Sequence, residues 1–166
     1  MEKMCSEYYE LVFKYLLTLT HDHDLAEELT QETFYRAIRK LKSFREDSKM
    51  STWLCQIAKY TFYQYIDKSH RHPQVSIEDM TTELSIPTMS QPEDLYLQDE
   101  NKLEIYKAIQ NQPSPQRDVL MLRITGDLSF KEIGEILGKT ENWARVTFYR
   151  GKQAVIKEVN GHGEDT

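Results

Sequence analysis

The residues of this chain best suited to act on another molecule cluster near its C-terminus: Asn142, Trp143, Arg145, Val146, Tyr149, Arg150 and Lys152. Arg145 and Asn142 carry the donors and acceptors that pair with base edges, and Arg150 and Lys152 suit phosphate oxygens. Such a set equips a helix to lie in the major groove of duplex DNA. The same residues would also form the solvated basic face of an ordinary helical hairpin, so the elements around them decide.

Other chemistries are poorly served. His21-Asp22-His23 and His70-Arg71-His72 offer imidazoles, but i, i+2 spacing points two side chains apart on a helix. Cys5 and Cys55 are far apart and form no Cys-x-x-Cys, and no His-Glu-x-x-His occurs. No Gly-rich phosphate loop or Ser/His/Asp arrangement is recognisable. The expectation is no metal, no cofactor and no catalytic activity, with two reduced thiols in a cytosolic protein.

The elements that must position the C-terminal residues are legible. Ser129 and Glu132 have the spacing of a capping box, and Phe130, Ile133 and Leu137 form an inner stripe. Gly134 lacks a side chain where a second helix must cross closely, and Gly138 suits the left-handed turn that ends the first helix. Thr140 can cap a second helix in which Ala144, Phe148, Gly151 and Val155 share the inner face. The pattern is a helix-turn-helix.

Upstream the periodicity is helical almost throughout. Tyr8, Leu11, Val12, Tyr15, Leu16 and Leu19 make one apolar stripe. A second helix is expected to open at Asp24, capped by Asp24 with Glu27 reaching back, and to run through Leu29, Phe34, Ala37, Ile38 and Leu41. Phe44–Lys49 reads as a loop. A third helix is expected from about Ser51 to Ser69, with Trp53, Leu54, Ile57, Ala58, Thr61 and Ile66 inward. A helix through Leu103, Tyr106 and Ile109 should stop at Pro113 and Pro115, and one through Val119, Leu120, Leu122 and Ile124 should end at Gly126.

The 166 residues carry a net charge of −6, which looks wrong for a DNA binder until its distribution is read. Residues 73–100 hold seven acidic residues and no Lys or Arg, together with Pro73, Pro87 and Pro92, which is the composition of a flexible acidic linker. The expected organisation is all-α: two small helical domains at 1–72 and 101–160, the linker at 73–100, and a disordered tail at 161–166. Each domain's core would be small. The polar N-terminus does not read as a signal peptide. No apolar run approaches the ~20 residues that span a bilayer, so a cytoplasmic protein without membrane contact is expected.

Taken together, the two halves resemble the ECF (extracytoplasmic-function) sigma factors, which keep sigma domains two and four. Asp24 to Phe34 is similar to their polymerase-binding helix, Phe44 to Ala58 to their promoter-melting segment, and Leu122-Arg123 with Ser129 to Gly138 to sigma domain four. The resemblance implies a bacterial sigma factor that binds core RNA polymerase and directs promoter recognition, melting and initiation. Asp24, Glu27, Glu28, Gln31 and Glu32 would meet a basic coiled coil of the β′ subunit. Asp47, Ser48, Lys49 and Met50, with Thr52 and Trp53 behind them, would hold a base flipped from the minus-ten element. Gln56, Lys59, Tyr60 and Tyr63 mix rings, amide and cation in the way a single strand requires. Thr140, Asn142, Trp143, Arg145, Val146, Tyr149, Arg150 and Lys152 would serve the minus-35 element.

Some assignments stay open within that picture. Trp53 is either core or a base contact. Val119, Leu120 and Leu122 either face the polymerase β flap or pack inward. The acidic linker either threads toward the RNA exit path or merely solvates. An anti-sigma partner is expected from the family and identified by no residue. The chain also departs from the family pattern, with Tyr60 where Asn is frequent, Gln64 where Asp is frequent, and Gly151 where Ala is usual. Trp143-Ala144-Arg145-Val146-Thr147 replaces a Thr-Val-Lys-Ser-Arg run, so no promoter consensus carries over. A plain helix-turn-helix repressor would account for residues 129–157 and leave the N-terminal motifs unexplained.

Overall fold

The protein, described by a computed structural model over residues 2–71 and 100–162, is all-helical. The helices are α1 (Glu2–Thr20), α2 (His23–Lys40), α3 (Met50–Arg71), α4 (Glu100–Gln110), α5 (Ser114–Gly126), α6 (Phe130–Leu137) and α7 (Glu141–His162), with one 3-10 turn at Leu41–Ser43. Among the described residues there is no strand. The acidic linker, apart from Glu100, and residues 163–166 of the tail lie outside the described residues.

The apolar stripe of α1 buries Leu11, Val12, Tyr15 and Leu16 against α2 and α3. Three threonines pack closely on α2 and α3 with their hydroxyls satisfied by the preceding turn, whereas the Thr52 hydroxyl is buried without a hydrogen-bond partner. The Thr30 hydroxyl donates to the Ala26 carbonyl at 2.6 Å, Thr33 to Leu29 at 2.7 Å, and Thr61 to Ile57 at 2.8 Å.

The start of α2 corrects the expected cap. Asp22, not Asp24, is the N-cap, and its side chain accepts from the Leu25 amide at 3.1 Å. His21 takes a left-handed φ of 54°, which ends α1 and brings the next helix in two residues early. Asp24 is left fully exposed in the first turn. In the second half, Pro115 does more than follow α4: it sits in the first turn of α5, where its missing N–H has no helical partner to lose. The left-handed residue closing α5 is Asp127 (φ 48°), one past Gly126.

The two halves do not keep separate cores. One buried cluster runs from Leu16, Leu29, Leu54 and Ile57 through Val119 and Leu122 to Ile133, Ile136 and Ala144. A smaller cluster joins α4, α5 and α7 through Ala108, Ile109, Leu120, Met121 and Val155. The seam between α1 and α5 is close: a Cβ added at Gly126 would lie 2.7 Å from Leu11 Cδ1. It also carries polar groups that burial penalises. The Tyr15 hydroxyl is buried without a hydrogen-bond partner. Asp118, near Tyr15, has its pKa pushed up to about 6 by desolvation, against the opposing pull of Arg117, Ser114 and Lys59.

Candidate nucleic-acid interface

The helix-turn-helix is built by local bonds. Ser129 Oγ accepts from the Glu132 amide at 3.2 Å, and Glu132 Oε2 accepts from the Ser129 amide at 2.7 Å, which closes the capping box of α6. Ile133 and Ile136 are its buried residues, with Phe130 and Leu137 half-buried, so the inner stripe is wider than Phe130, Ile133 and Leu137. Gly138 takes φ 67° and ends the helix. Gly134 meets the turn rather than a crossing helix: an added Cβ would lie 2.7 Å from the Lys139 carbonyl oxygen and 3.1 Å from Thr140. Thr140 Oγ1 then accepts from the Trp143 amide at 3.1 Å and starts α7.

On α7, Ala144, Thr147, Gly151 and Val155 face the core, and Phe148 is half-buried. The glycine at 151 has a packing reason, because a Cβ there would meet Leu120 Cδ1 at 2.9 Å and Gln116 Cβ at 3.1 Å. Asn142, Arg145, Val146, Tyr149, Arg150 and Lys152 are exposed on the other faces, as is Thr140 at the turn. Trp143 is half-buried against the core cluster, with Lys139 Nζ 5.6 Å from its ring centroid. Arg145 pairs with Glu141 at 3.2 Å and lies 5.6 Å from the Phe130 ring centroid. An exposed pair of this kind is worth under ~1 kcal/mol, so the guanidinium is oriented yet readily transferred to a base or phosphate.

The second candidate surface lies on the 44–49 loop and α3. Asp47 and Lys49 are exposed, while Ser48 and Met50 are half-buried. Thr52 is fully buried and faces the core. Trp53 is half-buried, packed at 4.9 Å against the Phe44 ring, which supports the loop from behind. Gln56, Tyr60 and Tyr63 are exposed and Lys59 half-buried.

Two of these cations are engaged by α6. Lys49 pairs with Glu132 at 3.1 Å, and Lys59 Nζ donates to the Ile136 carbonyl at 3.1 Å. Desolvation would raise the Glu132 pKa, but the bonds from Ser129 and Lys49 outweigh it and hold that carboxyl below its ordinary value.

Around Tyr60 the structure gathers Arg36 and Lys40, which the sequence did not single out, together with Gln64. The Arg36 guanidinium lies 5.9 Å from the Tyr60 ring centroid and Lys40 Nζ 6.0 Å from it. Gln64 Nε2 donates to the Tyr60 hydroxyl at 2.6 Å. The i, i+4 rows Glu32, Arg36, Lys40 and Tyr60, Gln64 were visible as rows. That one row faces the other depends on how α2 and α3 pack.

Along α2, Asp24, Glu27, Glu28 and Gln31 are exposed on the side away from buried Ala26, Thr30, Thr33 and Ala37. Glu32 is half-buried and tied to Arg36 at 2.6 Å. A cleft of about 510 Å³ between α2 and α3 is lined by Glu28, Gln31, Glu32, Arg36, Gln64 and Lys68, among others. Val119, Leu120 and Leu122 are buried and belong to the core. Among the described residues no three His, Cys, Asp or Glu gather in a way that could hold a metal, and no helix is long and apolar enough to cross a membrane. Cys55 is a buried free thiol, pushed up to about 12 by desolvation, and Cys5 is also free.

Known proteins share this arrangement. Residues 4–72 match Sigma-70 region 2, and residues 102–155 match Sigma-70, region 4. RNA polymerase sigma factor YlaC of Bacillus subtilis (strain 168) is 29% identical over 167 residues, covering 99% of this chain and 95% of the relative. The ECF RNA polymerase sigma-E factor of Escherichia coli (strain K12) is 30% identical over 138 residues, covering 80% of this chain and 72% of the relative. The sigma factor RpoE from Bartonella quintana, solved in complex with the anti-sigma factor NepR, has the same fold. Its TM-score is 0.69 at 22% identity, with 96% of each chain covered. The chain therefore belongs to the sigma-70 family of RNA polymerase sigma factors, and within it to the ECF group. Its partners are core RNA polymerase and promoter DNA, and its role is promoter-specific initiation of transcription.

Proposed function

We propose that the chain works as two units, 1–72 and 101–160, which divide the initiation task. The carboxylate face of α2, Asp24, Glu27, Glu28, Gln31 and Glu32, docks on the β′ coiled coil. The 44–49 loop and α3 open the minus-ten element and hold one strand: Asp47, Ser48, Lys49 and Met50 line a base pocket backed by Thr52 and Trp53, and Gln56, Lys59, Tyr60 and Tyr63 receive the strand beyond it. The outer face of α7 reads the minus-35 element, with Asn142 and Arg145 on base edges, Arg150 and Lys152 on phosphates, and Thr140, Trp143, Val146 and Tyr149 completing the contact. Catalysis belongs to the polymerase. The chain acts in the cytoplasm, where an anti-sigma protein holds it inactive, as suggested by the Bartonella quintana RpoE, which was solved in complex with the anti-sigma factor NepR.

The observation that carries this reading is the division of α7. Its inner residues are buried, its outer residues are exposed, and Thr140 caps it with its first turn presented outward. The packing of α6 on α3 adds a constraint. Lys49 and Lys59 each spend one donor on α6, so a nucleic-acid strand bound there would compete with Glu132 and the Ile136 carbonyl for these cations.

Replacing Arg145 with Ala tests the reading. Losing a base-edge arginine costs about 1–3 kcal/mol, so use of promoters with an upstream element should fall by roughly five- to a hundredfold. Core binding, measured by co-purification or anisotropy, should be unchanged. Undiminished transcription from every cognate promoter would show that α7 does not read DNA as placed.

A further inference from the structure

Glu32, Arg36, Gln64 and Tyr60 form one continuous chain of bonds across the α2–α3 cleft. Arg36 Nε donates to Glu32 Oε1 at 2.6 Å, and Arg36 Nη1 donates to Gln64 Oε1 at 2.6 Å. Gln64 Nε2 donates onward to the Tyr60 hydroxyl at 2.6 Å, while the guanidinium also lies 5.9 Å from the Tyr60 ring centroid. One end of the chain is a carboxylate on the polymerase-facing helix, and the other is an exposed ring on the strand-facing helix.

We infer that Arg36 is a positioning residue for promoter opening: it fixes the Tyr60 ring for stacking and ties that ring to the α2 surface that meets polymerase. The inference rests on the proposed roles of those two surfaces.

The residue types suit this arrangement. A tyrosine that is 54% exposed would otherwise swing freely, and a base stacks well only on a ring already held in place. Arg36 can hold it because its planar fork donates in two directions while its face remains available to the ring; a lysine offers a point charge and no such face. Gln64 is suited to the middle position, since its amide oxygen accepts from Arg36 while its nitrogen donates to Tyr60. A carboxylate there could accept from both Arg36 and the phenol hydroxyl, but it would place a negative charge beside the surface proposed to receive a phosphate backbone. Tyr60 and Gln64, the two α3 departures from the family pattern, are thus partners of one another.

The test uses the full chain with core polymerase and a cognate promoter, with permanganate reactivity of unpaired thymines reporting strand opening. Arg36→Met and Gln64→Leu should each lower opening about fivefold, on the order of losing one hydrogen bond. Core affinity should stay within about twofold of wild type, because the exposed carboxylates of α2 are untouched. Arg36→Lys should recover only part of the loss. Tyr60→Phe, which keeps the ring and removes the hydroxyl, should reproduce Gln64→Leu, and the two combined should be no worse than either alone. Gln64→Leu, on a half-buried position, keeps the test decisive if Arg36→Met fails to fold.

Wild-type opening in both Arg36→Met and Gln64→Leu, with Tyr60→Ala severely impaired, would overturn the positioning role and leave the strand-facing surface standing. Wild-type opening in Tyr60→Ala would overturn both. A loss of opening no greater than the loss of core affinity would make Arg36 a purely structural residue.

Discussion

Replacing Glu28 and Gln31 together with Lys is expected to weaken binding to core polymerase by about a hundredfold. Both side chains are exposed one helical turn apart on α2, so the substitutions place two cations where the reading puts a basic coiled coil. Like charges brought together across an interface cost several kcal/mol, and close charge pairs in other complexes couple by ~1.5–7 kcal/mol. The fold should not suffer, because Lys and Glu have similar helix propensities and the packed side of α2 is formed by other residues: Ala26, Leu29, Thr30, Thr33 and Phe34. Thermal stability should therefore stay near wild type while affinity collapses. The wild-type complex should weaken as salt is raised, as screening of exposed charges requires. Equal affinity of the double variant and wild type for core enzyme would remove α2 from the interface.

The second large effect is expected at Gly134. A Cβ there would stand 2.7 Å from a backbone carbonyl oxygen of the turn, and the turn is held by the Lys139 amide bonding to the Gly134 carbonyl at 2.8 Å. Backbone cannot swing aside as a flexible side chain can. Gly134→Val adds two further methyl groups to that contact, so a loss of about 3 kcal/mol is expected, or roughly 6–12 °C in melting midpoint for a chain of this size. The turn angle between α6 and α7 would change with it, so upstream promoter use should be lost. Gly138 makes a useful contrast. An added Cβ there has nothing within 4 Å, but φ is +67°, so Gly138→Ala should cost only about 1–2 kcal/mol of left-handed strain. A wild-type midpoint for Gly134→Val would show that the turn is looser than its geometry implies.

The features legible in the sequence were those set by local bonding. The Ser129 box, the Gly138 end and the Thr140 cap each involve residues within about four positions, and each formed as its spacing implied. The all-helical class followed from periodicity of the same range. The cap of α2 was misplaced because Asp22 and Asp24 are equally good capping residues; only the left-handed turn at His21, set by the meeting of α1 and α2, selects between them. Ile136 was missed on the inner stripe because α6 is covered by α3 as well as by α5 and α7.

Long-range pairings were not legible at all. Nothing in one sequence says that Arg36 reaches Gln64, that Lys59 reaches the Ile136 carbonyl, or that the α1 stripe covers α5 as well as its own neighbours. For the same reason the expectation of two domains with small cores did not foresee a cluster continuing from Leu16 to Ile136. The periodicity of α7 did separate outward Arg145, Tyr149 and Arg150 from inward Ala144 and Val155. It could not show that Trp143 is drawn halfway into the core, which depends on what packs beside it.

The central claim is that two helical units, one engaging polymerase and a single strand and the other reading duplex, act together on promoters. Transcription in vitro from genomic fragments, with core polymerase alone and with the purified chain added, tests it most directly. Discrete transcripts that appear only with the chain, and that Glu28→Lys with Gln31→Lys suppresses, are the predicted result. A chain that neither associates with core enzyme in low salt nor starts a single new transcript would contradict it.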